Sequence, residues 1–543
     1  MRNNIISNLY IELKKVSESY TPRILTQICR DKNSENYGCA DRNWWHYKMR
    51  DFPSIILQQS GLSVFELLKF NTLYQNTNLE PLAKASFNFW NKRAKKFRAF
   101  EEYYPWEEGY PPLAFSTLAA AISIKNDFIN YKDISSGIKI AAKQLIERFE
   151  AKAANQQVAG LAALCTIRHI NPKLVPEKEF KSLKKKTLNL QDEEGWFQEY
   201  DGPDLGYLSV TIDCLWDAYD ATLDHDFVVS GEKAIFFIDK MINNLNSGSI
   251  GLHNSRNTDY IVPYGISRFL GSEKTEVRNA ALRIMVKIFQ GASNHDHFLS
   301  AIDDRYINHY IGLSLFRSVN FLKTINIHSC NLVLNEYKDF SFHNCGIYWI
   351  TNKENNCRVL ISGRKGGNVS IYSHDKVGSD FGWIVSMSKL QLISNWWSND
   401  WEINIKNNVF SIHGNLFPHK ELQSSPLKHL ILRLSSLLLG HRLINFLKRQ
   451  IIFKSTKTKI TFNRKIKILK ESIQLEDTFF GLTDSSNLSR PSRQSKRHVA
   501  SADSYHYEDL NLHQYEFSER KEFSQQGILK VFTEYGIKET NSI

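Results

Sequence analysis

Two stretches of the sequence combine residue types that bind and transform sugars. They are DEEGWFQEYDGPDLGYLSVTIDCLWDAY (192–219) and GLHNSRNTDYIVPYG (251–265), and both crowd tryptophan, tyrosine, acids, amides and glycine. A packed core does not need that mixture, whereas a sugar cleft uses aromatic faces for stacking and polar groups for hydrogen bonds. In the second stretch His253, Asn254 and Arg256 could bind a carboxylate. We therefore expect a sugar-binding cleft lined by these two stretches.

Further aromatic and charged residues could extend this cleft. The string NWWHY places Trp44 and Trp45 early in the chain, where they could stack on a sugar ring or anchor the N-terminal segment. The string RKGG could hold an anion through Arg364 and Lys365 or form a tight hairpin turn, and the strand pattern after it favours the turn. The other candidate substrate-binding residues are Trp106, Glu108, Trp196, Tyr200, Asp204 and Tyr260.

The composition is that of an ordinary folded protein with a basic surplus. The 543 residues carry 69 Lys and Arg against 57 Asp and Glu, a net charge of +12, which suits an anionic polysaccharide, a membrane surface or nucleic acid. A genome that uses lysine freely explains the surplus equally well. No nucleic-acid-binding module is recognisable, so we expect no such partner. Seven cysteines without CxxC spacing support neither a disulfide framework nor a zinc site, and we expect no metal and no cofactor.

The sequence shows neither an export signal nor a membrane span. The short apolar stretch at the start is followed by Lys14 and Lys15, without a small-residue cleavage site. No run of about 18 uncharged apolar residues occurs. The nearest, residues 427–453, predicts an amphipathic helix or a strand pair on the sheet, with binding to a membrane surface as the alternative. We expect a soluble, cytoplasmic protein without stable membrane insertion, and the sequence leaves its oligomeric state open.

The spacing of apolar residues changes from helical to strand-like near residue 326. Between residues 55 and 325 it follows the helical period with short loops, which predicts antiparallel hairpins of helices. One such stripe predicts a helix from Ile138 to Phe149. After residue 326 the strings CGIYWI, CRVLISG, NVSIYS and KITFNRKIKIL alternate as sandwich strands do. We predict an N-terminal helical or anchoring segment (1–54), a helical domain (55–325) and a β domain (326–543).

This order of domains resembles the heparinase II/III-like proteins and their polysaccharide-lyase relatives. NQQVAGLAAL (155–164) is similar to the helix that carries their catalytic Asn, DEEGWFQEYDGPDLGYLSV to their DGS(Y/F)…Q…GGYG stretch, and FHNCGIYWI (342–350) to the strand that opens their β domain. The resemblance covers roughly residues 40–480 and implies an incomplete α/α toroid of helical hairpins followed by an antiparallel β-sandwich. It also implies that Asn155 neutralises a substrate carboxylate and that Tyr207 is the catalytic base and acid.

The sequence departs from that pattern at two places. Lyases of this group often have His directly after the helix Asn, where this sequence has Gln156. Their His-rich stretch in the β domain is replaced by LISGRKGGNVSIYSHDKVGSDFG (360–382), in which His374 comes late and alone. The set of lyase residues is therefore partial, and a metal site is not supported.

The chemistry that the resemblance implies makes defined demands on the site. β-Elimination from a uronate polymer removes the C5 proton, next to the carboxylate, and expels the O4 substituent. Donors have to neutralise the carboxylate before a base can take that proton, a task for Asn155 with Arg256 or His253. A tyrosine with its ordinary pKa of about 10 is a poor base, so Tyr207 needs a nearby cation that favours the phenolate.

Three functions stay open. The one we favour is a carbohydrate-active bacterial protein that acts as a polysaccharide lyase on an anionic uronate polysaccharide or in surface-polysaccharide metabolism. The second is a non-catalytic protein that binds or helps assemble capsule or O-antigen glycan, with a lipid-linked glycan as partner. The third is a toroid-type glycoside hydrolase that pairs Glu108 with Asp201 or Asp204.

Overall fold

The described part of the chain starts with helices and ends with antiparallel strands. In the computed structural model the described residues are 2–75, 77–97, 100–243, 251–258, 260–325, 338–352, 357–373, 377–387, 390–419, 423–451, 458–483, 486–491, 517–524 and 528–537. His374 and the predicted domain boundary at residue 326 lie outside these ranges. The domain limits therefore stay a prediction.

The helices before residue 326 pack in two layers. Their bounds are α1 (Arg2–Gln27), α2 (Arg42–Trp45), α3 (Ser60–Phe70), α4 (Leu79–Phe97), α5 (Tyr110–Lys125), α6 (Tyr131–Glu147), α7 (Ala154–Ile170), α8 (Glu177–Leu188), α9 (Leu205–Thr222), α10 (His225–Asn243), α11 (Tyr264–Arg268), α12 (Thr275–Phe289), α13 (Phe298–Ala301), α14 (Asp304–Tyr306) and α15 (Gly312–Thr324).

The inner layer consists of α3, α5, α7, α9, α11 and α15, each in contact with the next. In α5 every residue except Pro111 and Lys125 is buried, and α7 is buried over almost its whole length. A helix that is apolar on all sides has to lie inside the protein. The outer helices α4, α6, α8, α10 and α12 have a polar side and cover the inner layer, and α1 packs on α12 and α15. Two layers of helical hairpins in this order form an α/α toroid.

One helix boundary differs from the sequence prediction. α6 ends at Glu147, so the expectation that its apolar stripe runs to Phe149 is wrong. Arg148 adopts an extended backbone (φ −122°, ψ 144°) and donates its guanidinium to the Glu108 carbonyl at 2.6 Å. This contact turns the chain away from the helix axis and leaves Phe149 38% exposed.

The β domain contains three antiparallel sheets among the described residues. Their orders are β1-β2-β3-β4-β5, β10-β7-β6-β13 and β14-β15-β12-β11-β9-β8. The bounds are β1 (Phe340–Phe342), β2 (Ile347–Asn352), β3 (Cys357–Ser362), β4 (Asn368–Tyr372), β5 (Val377–Asp380), β6 (Ile384–Met387), β7 (Leu390–Ile393), β8 (Glu402–Lys406), β9 (Val409–Asn415), β10 (Phe417–His419), β11 (Thr461–Ile468), β12 (Ser472–Phe480), β13 (Asn487–Ser489), β14 (Phe517–Ser524) and β15 (Ile528–Gly536).

The first sheet is buried on both faces and joins the two domains. Successive side chains of a strand point to opposite faces, and β2 uses both. Trp349 packs into the helical core and donates its indole N–H to the Met241 carbonyl at 3.0 Å, whereas Tyr348 packs into the sandwich core. The chain is thus an α/α toroid followed by an antiparallel β-sandwich, as the sequence predicts.

The RKGG string forms the turn between β3 and β4. A short helical turn covers Gly363–Lys365, and Gly366 (φ +62°) and Gly367 (φ +79°) follow in the left-handed region that favours glycine. The prediction of a tight hairpin turn is confirmed. The turn also places Lys365 where the sandwich contacts the toroid.

A pair of helices is inserted between β10 and β11. They are α16 (Pro426–Leu439) and α17 (His441–Ile451), so the stretch predicted as a helix or a strand pair is helical. Within the described ranges, no helix is both long enough and apolar enough to cross a membrane.

Candidate functional site

The candidate site lies where inner helices of the toroid begin and the first sheet meets them. α7 begins at Ala154, and α9 begins at Leu205 after its N-cap residue Asp204. The loop before α9 lies directly against the β domain. The approach is so close that a side chain at Gly202 would overlap the Trp397 ring. The Trp397 indole N–H donates to the Asp201 carbonyl at 3.1 Å. These contacts bring the 192–219 stretch against the sandwich.

Asn155 is held by a buried carboxyl group. Both its backbone N–H and its side-chain Nδ2 donate to Oε1 of Glu199, each at 2.7 Å. Burial raises the pKa of Glu199 well above its usual value, and the nearby Asp204 carboxyl adds to the effect. The Asn155 bonds and the Arg256 charge oppose it. Glu199 is therefore easier to protonate than an exposed glutamate.

Asp204 positions Tyr207 through the start of α9. Its Oδ1 accepts from the Tyr207 N–H at 3.1 Å and from the Thr258 hydroxyl, and its Oδ2 accepts from the Thr258 N–H at 3.2 Å. A carboxylate at this position satisfies helix N–H groups that have no partner within the helix. Burial raises the pKa of Asp204 in spite of these bonds. Asp204 therefore ties α9 to the 251–265 stretch.

Tyr207 belongs to a group of tyrosines on the same side of the cluster. It is only partly buried, and its ring meets the Tyr260 ring edge-on with 6.3 Å between centroids. The Tyr260 hydroxyl is hydrogen-bonded to the Tyr310 hydroxyl. Burial and the neighbouring hydroxyl groups raise the pKa of Tyr260 well above its usual value. Tyr207 is therefore the tyrosine of this trio that reaches towards solvent.

His253 and Lys365 connect the helical loop to the β domain. Nε2 of His253 lies 2.7 Å from the Ser370 hydroxyl on β4, which lies 2.8 Å from the Ser379 hydroxyl on β5. Lys365 donates its ammonium to the side-chain oxygen of Asn257. Burial and the positive charge of Lys365 lower the pKa of His253 to about 3. His253 is therefore a neutral hydrogen-bonding group at neutral pH.

Arg256 supplies a buried positive charge. It is 7% exposed, and its guanidinium carbon lies 4.0 Å from the centroid of the Tyr200 ring, a cation–π arrangement. Tyr200 (φ +52°), Asp201 (φ +74°) and Asn257 (φ +62°) all adopt left-handed backbone conformations. Such conformations cost about 1–3 kcal/mol each and cluster at functional sites. The backbone here is held in a shape that the sequence does not favour locally.

Four buried polar atoms of this region lack a hydrogen-bond partner among the described residues. They are Oε2 of Glu199, Nδ1 of His253, Oδ1 of Asn254 and Nε of Arg256. Leaving a buried polar group unsatisfied costs about 1–3 kcal/mol, so each one requires an explanation. With Lys365 and Asp204 beside them, these residues form a buried polar cluster that holds two cations, Arg256 and Lys365, and two acids, Glu199 and Asp204. We call this set, with Asn155, Asp204, Tyr207 and Lys365, the interdomain cluster.

The structure thus brings together several residues that the sequence singled out separately. The Asn155 side chain donates to the Glu199 carboxyl group, and the Ser255 hydroxyl donates to the Glu199 backbone carbonyl at 2.6 Å. Ser255 precedes Arg256, and Thr258 of the same loop donates to Asp204, which also accepts from the Tyr207 N–H. His253 and Asn254 belong to this loop too; Asn254 donates to the Thr258 carbonyl at 3.2 Å.

Other predicted substrate-binding residues have different neighbours. Trp45 donates to the Gln27 carbonyl at 2.7 Å, and the Trp44 ring packs 5.7 Å from that of Phe89, so both anchor the N-terminal segment. Trp196, 9% exposed, donates to Glu194 at 3.1 Å. Their roles towards a substrate stay predictions.

The predicted residues Trp106, Glu108 and Arg364 also lie apart from the network. Trp106 (36% exposed) and Glu108 belong to the loop before α5, and Glu108 accepts from the His441 N–H at 3.2 Å. Arg364 donates to the carbonyls of Asn399 at 2.8 Å and Trp401 at 3.1 Å. The three acids of the hydrolase hypothesis have separate partners: Glu108 contacts His441 of α17, Asp201 contacts Lys152, and Asp204 caps α9.

Sequence reasoning missed the residues that connect the cluster. Glu199 stands inside the quoted 192–219 stretch, but nothing in its spacing marks it as the partner of Asn155. Ser370 and Tyr310 come from β4 and from the π-helical turn Ile307–Ile311, far away in sequence. The alternation of β4 was the available signal for Ser370, since it places one side chain in two towards the toroid.

Metal-ligating side chains do not gather here. In the part of the chain that the structure describes, no group of three or more His, Cys, Asp and Glu residues could hold a metal ion.

Comparison with known proteins shows likeness in structure only. No protein-family model matches the chain. No curated protein matches it. A chondroitin AC lyase of Streptomyces coelicolor A3, solved with chondroitin sulphate, is similar over 98% of this chain and 77% of its own, with a TM-score of 0.51 and 6% identity. At that identity the likeness shows the fold alone, which is that of a polysaccharide lyase.

Two further solved structures match more loosely. A mutant of the heparan sulfate lyase HepC from Pedobacter heparinus covers 96% of this chain and 80% of its own, with a TM-score of 0.37 and 12% identity. A chondroitinase AC lyase studied as oligosaccharide complexes covers 98% and 80%, with a TM-score of 0.40 and 9% identity. Structural similarity this weak does not indicate where a site lies or what it binds.

Proposed function

We propose that this protein, which has the fold of a polysaccharide lyase, binds an anionic uronate polysaccharide at the interdomain cluster and cleaves it by β-elimination. The observation that carries the proposal is the joining of Asn155, Tyr207, His253 and Arg256 at one domain boundary, with unsatisfied polar atoms among them. A substrate carboxylate and its neighbouring hydroxyl groups offer the donors and acceptors that these atoms lack.

The charges of the cluster favour an anionic ligand. Arg256 and Lys365 are buried cations, and burial raises the pKa values of Glu199 and Asp204. His253, with a pKa of about 3, adds no charge of its own at neutral pH. A uronate carboxylate would compensate the two buried cations.

The proposed roles follow from position and protonation. Arg256 and Lys365 neutralise the carboxylate, which makes the C5 proton more acidic. Tyr207, partly exposed at the start of α9, takes that proton and returns one to the leaving O4. His253 is too weak a base for this task, because catalytic groups work best with a pKa near the operating pH. It acts as a neutral hydrogen-bonding partner instead.

A second candidate is a non-catalytic glycan-binding protein of capsule or O-antigen assembly. The observation that favours it is the hydrogen bond that the Asn155 side chain donates to Glu199. This N–H is therefore not available to a substrate carboxylate. In this version a cytoplasmic protein would hold a nascent or lipid-linked glycan without cleaving it. The predicted hydrolase gains no support, since Glu108, Asp201 and Asp204 each have separate partners.

The test is a panel of uronate polysaccharides with wild-type protein and the Tyr207→Phe variant. Elimination creates a double bond conjugated to the carboxylate, so ultraviolet absorbance should rise with wild-type protein. Loss of the hydroxyl should slow the rise about 100-fold or more. Tyr74→Phe, in a turn at the start of the toroid, is the matched control and should retain full activity.

Three other results would contradict the proposal. New reducing ends without absorbance would indicate hydrolysis. Saturable binding without either product would support the glycan-binding candidate. An absorbance rise that Tyr207→Phe leaves unchanged would remove Tyr207 from the mechanism.

A further inference from the structure

The helix pair α16 and α17 exposes apolar side chains of a kind that proteins normally bury in their core. Of the 22 large hydrophobic side chains that are exposed within the described ranges, seven belong to α16 and one, Phe446, to α17. Scattered exposed leucines need no explanation, but a contiguous set of this kind marks an interaction surface. The seven in α16 are Leu427, Leu430, Ile431, Leu434, Leu437, Leu438 and Leu439.

The apolar side of α16 faces away from the protein. Leu427, Leu430, Ile431, Leu434 and Leu438 follow i, i+3, i+4, i+7 and i+11 spacing, which places them on one side of a helix. Their exposed fractions run from 53% to 84%. An ordinary surface helix turns such a stripe towards the core, so α16 is oriented the opposite way.

Polar contacts on the other side hold the helix pair in this orientation. Ser436, 2% exposed, donates its hydroxyl to the Pro105 carbonyl at 3.1 Å. Arg433 forms a two-pronged ion pair with Asp51 at 2.5 and 3.1 Å. Glu108 accepts from the His441 N–H at the corner between the helices. These contacts place the polar side of α16 against residues 51 and 105–108 and leave its leucines facing outward.

The charge of this segment identifies its partner. Residues 423–451, which span both helices, contain five Lys and Arg (Lys428, Arg433, Arg442, Lys448 and Arg449) and no Asp or Glu. Apolar residues on one side of a helix with basic residues around it are typical of helices that lie in the surface of an anionic membrane. An apolar patch made for another protein does not require the complete exclusion of acids.

We propose that the α16–α17 pair docks this protein on an anionic lipid surface, with the α16 leucines among the acyl chains and the exposed Lys428 and Arg442 at the headgroups. The pair rests on residues 101–109, and the same loop contacts the toroid through Glu102, which accepts from Arg305 at 2.7 Å. Docking is peripheral and reversible, as expected for a short amphipathic pair. It does not depend on the proposed glycan chemistry.

The test is flotation of the full-length protein with vesicles of phosphatidylcholine alone or mixed equally with phosphatidylglycerol. Wild-type protein should float with the anionic vesicles and lose binding as salt rises from about 0.1 to 0.5 M, because salt screens the charges. Leu430→Gln, Leu434→Gln and Leu438→Gln together should reduce binding at least about tenfold, since burial of apolar area drives insertion. Glutamine keeps the helix propensity and the charge.

The matched control changes three exposed apolar residues elsewhere. Ile11, Leu73 and Val229 are 44%, 75% and 46% exposed, and their Gln variants should float like wild-type protein. Circular dichroism and thermal melting confirm that both triple variants fold. Wild-type protein that stays with neither vesicle type, or a leucine variant that floats unchanged, would overturn the proposal. A dimer in light scattering that the leucine variant abolishes would also overturn it, because a second copy would then cover the patch.

Discussion

Two buried polar clusters in this protein are built for different purposes. In the sandwich, Arg464 on β11 is fully buried and bonds Asp477 twice at 2.7 Å and Asp380 at 2.9 Å. Trp383 donates to Asp477 at 2.6 Å, and the Tyr535 hydroxyl donates to Asp380 at 2.7 Å. Among the described residues, no side-chain nitrogen or oxygen of Arg464, Asp380 or Asp477 is buried without a partner.

The interdomain cluster is buried too but is left incomplete. Glu199, His253, Asn254 and Arg256 each keep one buried polar atom without a partner in the described part of the chain. The acids also behave differently. Burial raises the pKa of Glu199, whereas for Asp380 the charges of Arg464 and Arg490 outweigh burial and lower its pKa.

The difference separates stability from binding. The Arg464 ion pairs, whose three side chains are all paired although Nε of the neighbouring Arg490 is not, hold the fold together, and losing one member leaves a buried charge without compensation. An incompletely paired network is costly to the free protein and gains from a ligand that completes it. The four predictions below test this contrast and are ordered from the largest expected effect to the smallest.

Replacement of Arg464 should have the largest effect on stability. Arg464→Leu removes the cation between Asp380 and Asp477, and breaking a buried pair in this way costs about 3–5 kcal/mol. Denaturant unfolding followed by tryptophan fluorescence measures the loss. The neighbouring Lys465, whose 3.4 Å pair with Glu476 is exposed, is the control, and Lys465→Leu should cost at most about 1 kcal/mol. Equal effects of the two changes would remove the distinction between the clusters.

Replacement of Arg256 should affect ligand binding more than stability. Arg256→Met should raise the Kd for a uronate oligosaccharide about 100-fold, roughly 2.7 kcal/mol, because it removes a buried cation from the carboxylate. Isothermal titration calorimetry measures this change. Arg168→Met, at the other end of α7, is the control for loss of a charge. Unchanged affinity in Arg256→Met would contradict the proposed site.

The free energy of unfolding at acidic pH should depend on His253. Its pKa is about 3 in the folded protein against 6.5 in an unfolded chain, so stability is complete above pH 6.5 and falls as the pH drops towards 3. At pH 5 the wild-type protein should have lost about 2 kcal/mol relative to His253→Gln. His295→Gln, with a side chain that is 92% exposed, should leave the profile unchanged. Parallel profiles for wild type and His253→Gln would show that His253 is not buried in a neutral form.

The ion pair at the edge of the interdomain cluster should matter least. Nζ of Lys152 lies 2.5 Å from Oδ1 of Asp201, and the two side chains are 45% and 36% exposed. Pairs this open to water contribute about 0–1 kcal/mol, so Lys152→Met should change the free energy of unfolding by no more than that. A larger loss would mean that this pair fixes the left-handed backbone at Asp201.

The sequence predicted the fold better than the details of the site. Helical and strand spacing report which side of each element is buried, and this was enough for the toroid, the sandwich and the turn at Lys365. The resemblance and the residue types also pointed to Asn155, Tyr207, His253 and Arg256, which the fold places at the starts of α7 and α9 and in the 251–258 loop.

Contacts between distant segments could not be predicted in the same way. The capture of Asn155 by Glu199 depends on a loop with left-handed Tyr200 and Asp201, for which local propensity gives no signal. The end of α6 before Phe149 depends on the contact of Arg148 with a loop forty residues earlier in the chain. The burial of His253 under β4, which sets its pKa, depends on how the two domains dock.

The most direct test of the central claim alters the ligand rather than the protein. Wild-type protein is titrated with a uronate oligosaccharide and with the same oligosaccharide after its carboxylates have been reduced to alcohols. If the interdomain cluster recognises the carboxylate through Arg256 and Lys365, the native oligosaccharide binds and the reduced one binds at least about 100-fold more weakly. Equal affinity for the two, or no binding of any uronate tested, would contradict the account.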